Sequence, residues 1–197
     1  MANSGPVDES MTRQRWTDAA LAVLAVGGID AVKVETLATS LSVTKGSFYW
    51  HFADRQDLLT AMLERWEERA TTRIIGEIDE TVNGDPIEPL RRLVHLVFRA
   101  DPPAGRVETA IRAWATTDEL AAKTLQRVDA RRLTYVAGLL RPLGHTPASA
   151  RRRARLLYRA MIGEFLWRTA DGPAITTSDL ADLVDLLAWV KPPDDGR

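Results

Sequence analysis

Residues 34–52 read VETLATSLSVTKGSFYWHF. Their apolar residues recur at helical spacing, and a break at Ser42-Val43 separates two short helices, which we predict at residues 34–41 and 45–52. Thr44 precedes the second helix and belongs to the residue types that favour an N-cap. Two short helices joined by a tight turn, with a longer helix before them, predict a helix-turn-helix.

The second helix of this pair turns its aromatic residues in opposite directions. Phe48 and Phe52 are four residues apart and share one helix face, which we assign to the core. Trp50 is two residues from each of them and therefore points roughly 200° away. An aromatic cluster at helical spacing is ordinarily core, but Trp50 cannot join the two phenylalanines on one face. A large aromatic side chain turned outward is unusual unless it meets a partner, so this outward face is a candidate binding surface.

The chemistry of the outward face suits a nucleic acid. No acidic residue lies within residues 36–53, although the chain has 27 of them. Carboxylates at this surface would repel phosphate. Four side chains can instead donate hydrogen bonds to phosphate: Lys45, Tyr49, His51 and Arg55. Gly46 weakens a short helix by about 1 kcal/mol relative to alanine, which favours a backbone that a partner approaches closely.

The rest of the chain is helical by the same criterion, because no segment keeps the period of two that a strand needs. Asp54 is placed to cap a longer helix. Turns are predicted at residues 83–86 and 101–105, where Gly and Pro cluster. Further helices are predicted at residues 10–26, between the two turns, and at 106–116, 117–140, 147–170 and 178–190. The predicted fold class is all-α, with about nine helices.

The composition argues against several classes of protein. With 197 residues, 45% of them apolar, and a net charge of −1, the chain can build a core and is not of the disordered type. It has no cysteine and only three scattered histidines, so we predict no metal and no cofactor. We find no catalytic constellation and predict that the chain is not an enzyme.

Hydropathy gives no sign of a membrane protein. The longest apolar run, residues 19–26, is far shorter than the roughly 20 residues of a membrane span. The first ten residues, MANSGPVDES, lack the basic and apolar regions of a signal peptide. We therefore expect a cytoplasmic protein without a membrane partner.

Residues 16–66 resemble the DNA-binding domain of the TetR family of bacterial transcriptional regulators. The resemblance rests on the Ala-rich first helix, on Gly28, on residues 34–52 as quoted above, and on DRQDLL at the start of the next helix. It implies a homodimer whose paired recognition helices enter successive major grooves of a palindromic operator. It also implies a larger helical domain that binds a small-molecule effector.

The resemblance further implies roles for single residues. Lys45 and Ser47 match positions that reach base edges or nearby phosphate, and Trp50 matches a residue at the groove surface. The full set implied to bind DNA is Thr44, Lys45, Gly46, Ser47, Tyr49, Trp50, His51 and Arg55. Ser42 departs from the family, which commonly has glycine in this turn, so we expect a slightly strained left-handed serine.

The predicted domain layout has four parts. A flexible tail occupies residues 1–9, the helix-turn-helix domain residues 10–55, a helical ligand-binding and dimerisation domain residues 56–191, and a second flexible tail residues 192–197.

The last two helices are candidates for the dimer contact. The segment LADLVDLLAWV, residues 180–190, is apolar around most of a helix, which indicates burial on more than one side. We predict that the helices at 147–170 and 178–190 pair with their copies in a four-helix interface, as in the family. The alternative is that both pack only within their own subunit. Arg152, Arg155 and Arg159 share a face, which we interpret as solvated.

Aromatic residues and one histidine are candidates for an effector site, since pockets between helices are mostly apolar with a few polar groups. The candidates are Trp66, His95, Trp114, Tyr135 and Phe165. Each also fits an ordinary core position. A pocket lined in this way favours a largely hydrophobic effector.

The predicted function is that of a DNA-binding repressor that releases its operator when the effector binds. Two alternatives remain at this point. One is a DNA-binding protein without a small-molecule effector, and the other is an all-helical enzyme that uses the second domain.

Overall fold

The computed structural model describes residues 9–80, 84–99, 102–170 and 172–190. Within these ranges the chain is helical and contains no strand, which confirms the all-α prediction. The ten α-helices are α1 Glu9–Gly27, α2 Val34–Ser40, α3 Lys45–Tyr49, α4 Arg55–Glu67, α5 Arg73–Asp79, α6 Glu88–Phe98, α7 Pro102–Trp114, α8 Glu119–Leu140, α9 Pro147–Thr169 and α10 Thr177–Ala188. A 3-10 turn occupies Ile29–Ala31, and a π-helical turn, Glu68–Thr72, continues α4 into α5. If α4, the π-helical turn and α5 are counted as one helix over residues 55–79, the number of α-helices becomes nine.

Side-chain caps explain where three of these helices begin. Asp54 accepts a hydrogen bond from the backbone N of Asp57 at 2.9 Å, as predicted for the start of α4. Thr146 accepts one from the N of Ser149 and starts α9. Thr176 and Asp179 form a reciprocal capping box at the start of α10.

Two predicted helix boundaries were wrong. We predicted that the second helix of the helix-turn-helix would reach Phe52. Instead α3 ends at Tyr49, and the chain forms a turn at residues 50 and 51. The second error concerns residues 101–105, predicted as a turn, whereas α7 already begins at Pro102. Proline is tolerated in the first turn of a helix, since the N–H that it lacks has no helical partner there.

The chain divides into two compact units. The first contains Met1–Arg69 and Arg106–Leu125, and the second contains Ala70–Gly105 and Gln126–Arg197. The boundary that we predicted between residues 55 and 56 lies inside the first unit. Thus α4 and residues 106–125 belong to the same unit as the helix-turn-helix.

The core of the first unit joins α1 to the helix-turn-helix through aromatic rings. The ring centroids of Trp16 and Phe48 lie 5.4 Å apart, edge to face. Those of Phe48 and Phe52 lie 5.1 Å apart and are stacked. Such pairs stabilise a core beyond the area that they bury. Other fully buried residues of this unit are Leu24, Leu37, Leu58 and Met62.

The core of the second unit is mostly aliphatic and involves α5, α6, α8, α9 and α10. The predicted inward residues of α6 are mostly buried: Leu90, Leu93, Val94 and Phe98. They pack in one cluster with residues of the later helices, among them Leu140, Leu157, Leu180 and Val184. In the part of the chain that the structure describes, no helix is long and apolar enough to cross a membrane.

Candidate nucleic-acid interface

The helix α3 separates its aromatic residues as the sequence predicts. Phe48 is completely buried, whereas Tyr49 is 65% and Trp50 is 87% exposed. The Tyr49 ring keeps an edge contact with Phe48, at 5.2 Å between centroids, so its hydroxyl end is turned away from the core. The surface formed by residues 44–51, which we call the α3 face, therefore presents two large aromatic side chains to solvent.

The turn before α3 has the strained geometry expected for a serine in this position. Ser42 has a φ of 57° and is, among the described residues, the one non-glycine residue with a positive φ. The turn is closed by backbone hydrogen bonds from Ser42 N to Thr39 O and from Val43 N to Ala38 O, at 3.1 and 3.0 Å. These bonds hold the left-handed residue, so the turn is retained without glycine.

Gly46 is not required by packing within the protein. A Cβ placed on Gly46 would meet only the Oγ1 atom of Thr44, at 3.6 Å, which is an ordinary van der Waals contact. Gly46 therefore weakens the helix without being needed to avoid a clash. Because it has no side chain, a partner can approach the backbone of α3 closely at this position. Thr44 lies at the N-cap with an extended backbone, but its side chain accepts no capping hydrogen bond, so that part of our prediction was wrong.

Lys45 has an acidic partner that the sequence reading missed. Its Nζ atom lies 2.6 Å from Oε1 of Glu35 in α2. This hydrogen bond, together with the charge of the ammonium, holds the pKa of Glu35 below its usual value. Glu35 lies one residue before the acid-free stretch 36–53, so an argument confined to that stretch could not find it.

Arg55 is engaged within the protein. Its Nε donates to the carbonyl of Val32 at 3.0 Å, and its Nη2 donates to the carbonyl of Ile29 at 3.1 Å. These two bonds fasten the start of α4 to the segment between α1 and α2. The Arg55 side chain thus helps to position the helix-turn-helix.

Arg13 of α1 supports the end of α3, a role that sequence reasoning missed. Its Nη2 lies 2.7 Å from Oδ1 of Asp57, and its Nη1 donates to the backbone carbonyl of His51. The guanidinium carbon also lies 4.2 Å from the centre of the Phe52 ring. Asp57 in turn accepts a hydrogen bond from the backbone N of Ala53. One side chain of α1 thereby joins the end of the α3 face to the start of α4.

The five effector candidates are divided between the two units. Trp66 and Trp114 are buried in the first unit, whereas His95, Tyr135 and Phe165 belong to the second. The indole N–H of Trp66 donates to Oε2 of Glu108 at 3.0 Å, inside the protein. Glu108 is itself buried and paired with Arg112 at 2.9 Å, a buried charge that the sequence reading missed.

In the second unit, two of the candidates have defined neighbours. The Tyr135 hydroxyl donates to Oδ1 of Asp79 at 2.7 Å, and burial and this carboxylate raise the pKa of Tyr135. Phe165 is buried in the α9 packing, and its ring would lie 3.0 Å from a Cβ placed on Gly105. Among the described residues, no group of three acidic, histidine or cysteine side chains could hold a metal ion.

The last two helices bury one face and leave apolar residues outside. In α10, Val184 and Leu187 are buried, whereas Leu186 is 69% exposed. Exposed large apolar residues also lie along α9 and just beyond α10: Leu156, Leu166, Trp167, Trp189 and Val190. Arg152, Arg155 and Arg159 are exposed, in agreement with a solvated face.

Comparisons with known proteins agree with this architecture. The family model described as bacterial regulatory proteins, tetR family, matches residues 17–62, which include the whole helix-turn-helix. The chain is 32% identical over 102 residues to the transcriptional regulator AcrR of Shigella flexneri, covering 49% of this chain and 45% of AcrR. It is 28% identical over 107 residues to the probable acrEF/envCD operon repressor of Escherichia coli K12, covering 52% of this chain and 47% of that protein.

These curated relatives are matched over less than half of their length. A solved structure extends the likeness of fold to most of the chain. It is a transcriptional regulator from Saccharomonospora viridis in complex with choline, with a TM-score of 0.71 and 20% identity, covering 90% of this chain and 94% of that one. These likenesses define the class by its fold, which is all-helical with an N-terminal helix-turn-helix domain. Within that fold, residues 17–62 match the TetR family of bacterial regulatory proteins.

Proposed function

We propose that this chain is a transcriptional repressor that binds a palindromic operator in double-stranded DNA as a homodimer. A small, largely hydrophobic effector that binds the C-terminal part of the chain would release it from the operator. The repressor acts where the DNA lies, in the cytoplasm.

The α3 face is the observation that supports DNA binding. It exposes Tyr49 and Trp50 while Phe48 anchors the helix from below. On this surface Lys45 and Ser47 are assigned to base edges or nearby phosphate. Thr44, Tyr49, His51 and Arg55 are assigned to the phosphate backbone, Gly46 to close approach, and Trp50 to the groove surface. Arg55 would make this contact while its guanidinium also holds two backbone carbonyls.

DNA binding is tested by fluorescence anisotropy with labelled duplexes from upstream of the gene that encodes the chain. A scrambled duplex of equal length is the control, and both are measured at two salt concentrations. We expect tight binding to one upstream duplex and weak, strongly salt-dependent binding to the scrambled one. Equal affinity for both, together with no sequence selected from a random-site library, would contradict the proposal.

The homodimer is proposed to form through α9 and α10, the helices predicted at 147–170 and 178–190. Their exposed apolar residues support this, because a soluble monomer rarely leaves so many large apolar side chains outside. Two copies of α3 could then enter successive major grooves about 34–36 Å apart. Sedimentation should find a dimer for the wild type and a monomer for Leu186→Glu. Val26→Glu, at an exposed position of α1, is the control and should remain dimeric.

Support for an effector comes mainly from a protein of similar fold. The Saccharomonospora viridis regulator was solved with choline, which supports a small organic molecule as the class of ligand. For this chain we assign the role to candidates in each unit: Trp66 and Trp114 in the first, and His95, Tyr135 and Phe165 in the second. A screen of small apolar compounds should yield one that raises the melting temperature and releases the labelled operator. Release by none of them, with the operator complex intact, would favour a DNA-binding protein without an effector.

Repression is supported by the name of the Escherichia coli relative, an operon repressor. A dimer seated on a promoter excludes polymerase without further contacts, whereas activation would need a surface that recruits it. Deleting the gene should raise transcription from the promoter whose DNA the protein binds. A fall in that transcription would indicate an activator.

A further inference from the structure

The ion pair between Lys45 and Glu35 is a feature that the proposed function does not use. It joins the first residue of α3 to the second residue of α2, with 2.6 Å between Nζ and Oε1. Both side chains are well exposed, at 59% for Lys45 and 62% for Glu35. Glu35 therefore brings a carboxylate to the edge of a surface that is otherwise free of acidic residues over positions 36–53.

Packing between α2 and α3 does not depend on this pair. The two helices are held by the buried side chains of Leu37, Ala38 and Phe48 and by the backbone hydrogen bonds of the turn at Ser42. Exposed ion pairs contribute little to stability, because water screens them and both side chains lose freedom. The pair is thus weak enough to open when another partner competes for the ammonium.

We propose that Glu35 competes with DNA for Lys45 and thereby limits the affinity of the α3 face for DNA. This inference rests on the proposed DNA-binding function and deepens it. Non-specific affinity comes from cations that neutralise phosphates, whatever the base sequence. A lysine held by Glu35 adds no net charge to that attraction, and it must leave its carboxylate partner before it can contact a phosphate.

The same ion pair must open at the operator. There the Lys45 ammonium meets a fixed acceptor on a base edge or a phosphate, a contact strong enough to replace the pair. The free energy of the pair is then subtracted in full from the operator affinity. On a random duplex, where Lys45 can stay with Glu35, the loss of affinity is no larger than that. Glu35 therefore limits the affinity of the α3 face for DNA of any sequence.

Glu35→Gln tests this with a matched control. The variant removes the charge and keeps the shape of the side chain, and Glu64→Gln removes an equal charge from an exposed position of α4. Anisotropy is measured on a random-sequence duplex and on a duplex selected by the wild type from a random-site library. We expect Glu35→Gln to bind the random duplex about two- to fivefold more tightly than the wild type, with at least as large a gain on the selected duplex. The salt dependence on the random duplex should steepen by about one ion per subunit. An effect no larger than that of Glu64→Gln would overturn the proposal.

A second background separates restraint of Lys45 from simple repulsion of DNA by a carboxylate. When Lys45 is replaced by Gln, adding Glu35→Gln should change the affinity for random DNA no more than adding Glu64→Gln does. A gain in that background equal to the gain in the wild type would mean that Glu35 acts by repulsion alone, and would overturn the proposal. If the wild type selects no sequence from the library, the proposed function fails, and the random-duplex measurements still decide whether Glu35 restrains Lys45.

Discussion

Arg13 in α1 and Asp57 in the first turn of α4 form an ion pair, with 2.7 Å between Nη2 and Oδ1. The same guanidinium lies over the Phe52 ring and donates to the carbonyl of His51. Because His51 and Phe52 lie just beyond Trp50, in the turn between α3 and α4, this one side chain sets how the α3 face joins α4. It acts on the interface without belonging to its outer surface.

Replacing Arg13 with Ala should destabilise the first unit by about 1–2 kcal/mol. The ion pair is partly exposed and adds at most about 1 kcal/mol, and a cation–π contact at such a site adds a similar amount. Urea unfolding followed by tryptophan fluorescence measures the change, since Trp16 lies buried beside Phe48. Arg15→Ala, at an exposed position of the same helix, should stay within about 0.5 kcal/mol of the wild type. Equal losses in the two variants would contradict the role of Arg13.

Asp57 should make the stability of the protein depend on pH in the acidic range. The hydrogen bond from Arg13 lowers the pKa of Asp57 below its ordinary value of 3.8, against the opposing effect of burial. The folded state therefore favours the ionised carboxylate. This stabilisation is complete above the unfolded pKa of 3.8 and is lost as the pH falls through the lower folded value. The difference in unfolding free energy between the wild type and Asp57→Asn should shrink between pH 6 and pH values below about 4. A constant difference across that range would show that the charge of the Asp57 carboxylate does not stabilise the folded state.

Glycine at position 42 should stabilise the protein. Ser42 has a φ of 57°, where a side chain is disfavoured and glycine is not. We expect Ser42→Gly to gain up to about 1 kcal/mol, reduced by the greater freedom of glycine in the unfolded chain. Ser40→Gly, at the end of α2, should instead lose about 0.5–1 kcal/mol. Thermal unfolding compares the two, and the same sign in both would mean that the turn is not strained at Ser42.

Glu108 should be among the most sensitive polar residues of the first unit. It is buried, accepts from the Trp66 indole at 3.0 Å, and pairs with Arg112 at 2.9 Å. Glu108→Ala removes one side of both contacts, and we expect a loss of about 2–3 kcal/mol. Glu119→Ala removes an exposed glutamate that is paired with Lys123 and should lose less than about 1 kcal/mol. Urea unfolding measures the free energy of unfolding of both variants. Similar decreases in the two would contradict this account.

The outward position of Trp50 could be predicted from helix geometry alone. Trp50 is two residues from Phe48, and a rotation of roughly 200° turns it outward once Phe48 is assigned to the core. The left-handed Ser42 was predicted in another way, from the resemblance to the TetR family, which commonly has glycine at this position of the turn.

The parts that the sequence did not predict depend on contacts between distant residues. Arg13 and Asp57 are 44 residues apart, and Trp66 and Glu108 are 42 apart. Long side chains such as Arg and Glu choose among many partners, and only the packed fold decides which of them is within reach. The early start of α7 was missed for a different reason, since Pro-Pro both breaks helices and begins them.

The most direct test of the central claim is the DNA affinity of Trp50→Ala. Trp50 is 87% exposed, so its removal should change the free energy of unfolding by less than about 1 kcal/mol. If the α3 face reads DNA, anisotropy with the duplex selected by the wild type should find binding about tenfold weaker or more. Val26→Ala, at an equally exposed position of α1, should leave that affinity unchanged. Binding of Trp50→Ala equal to that of the wild type, with both proteins folded, would contradict the claim.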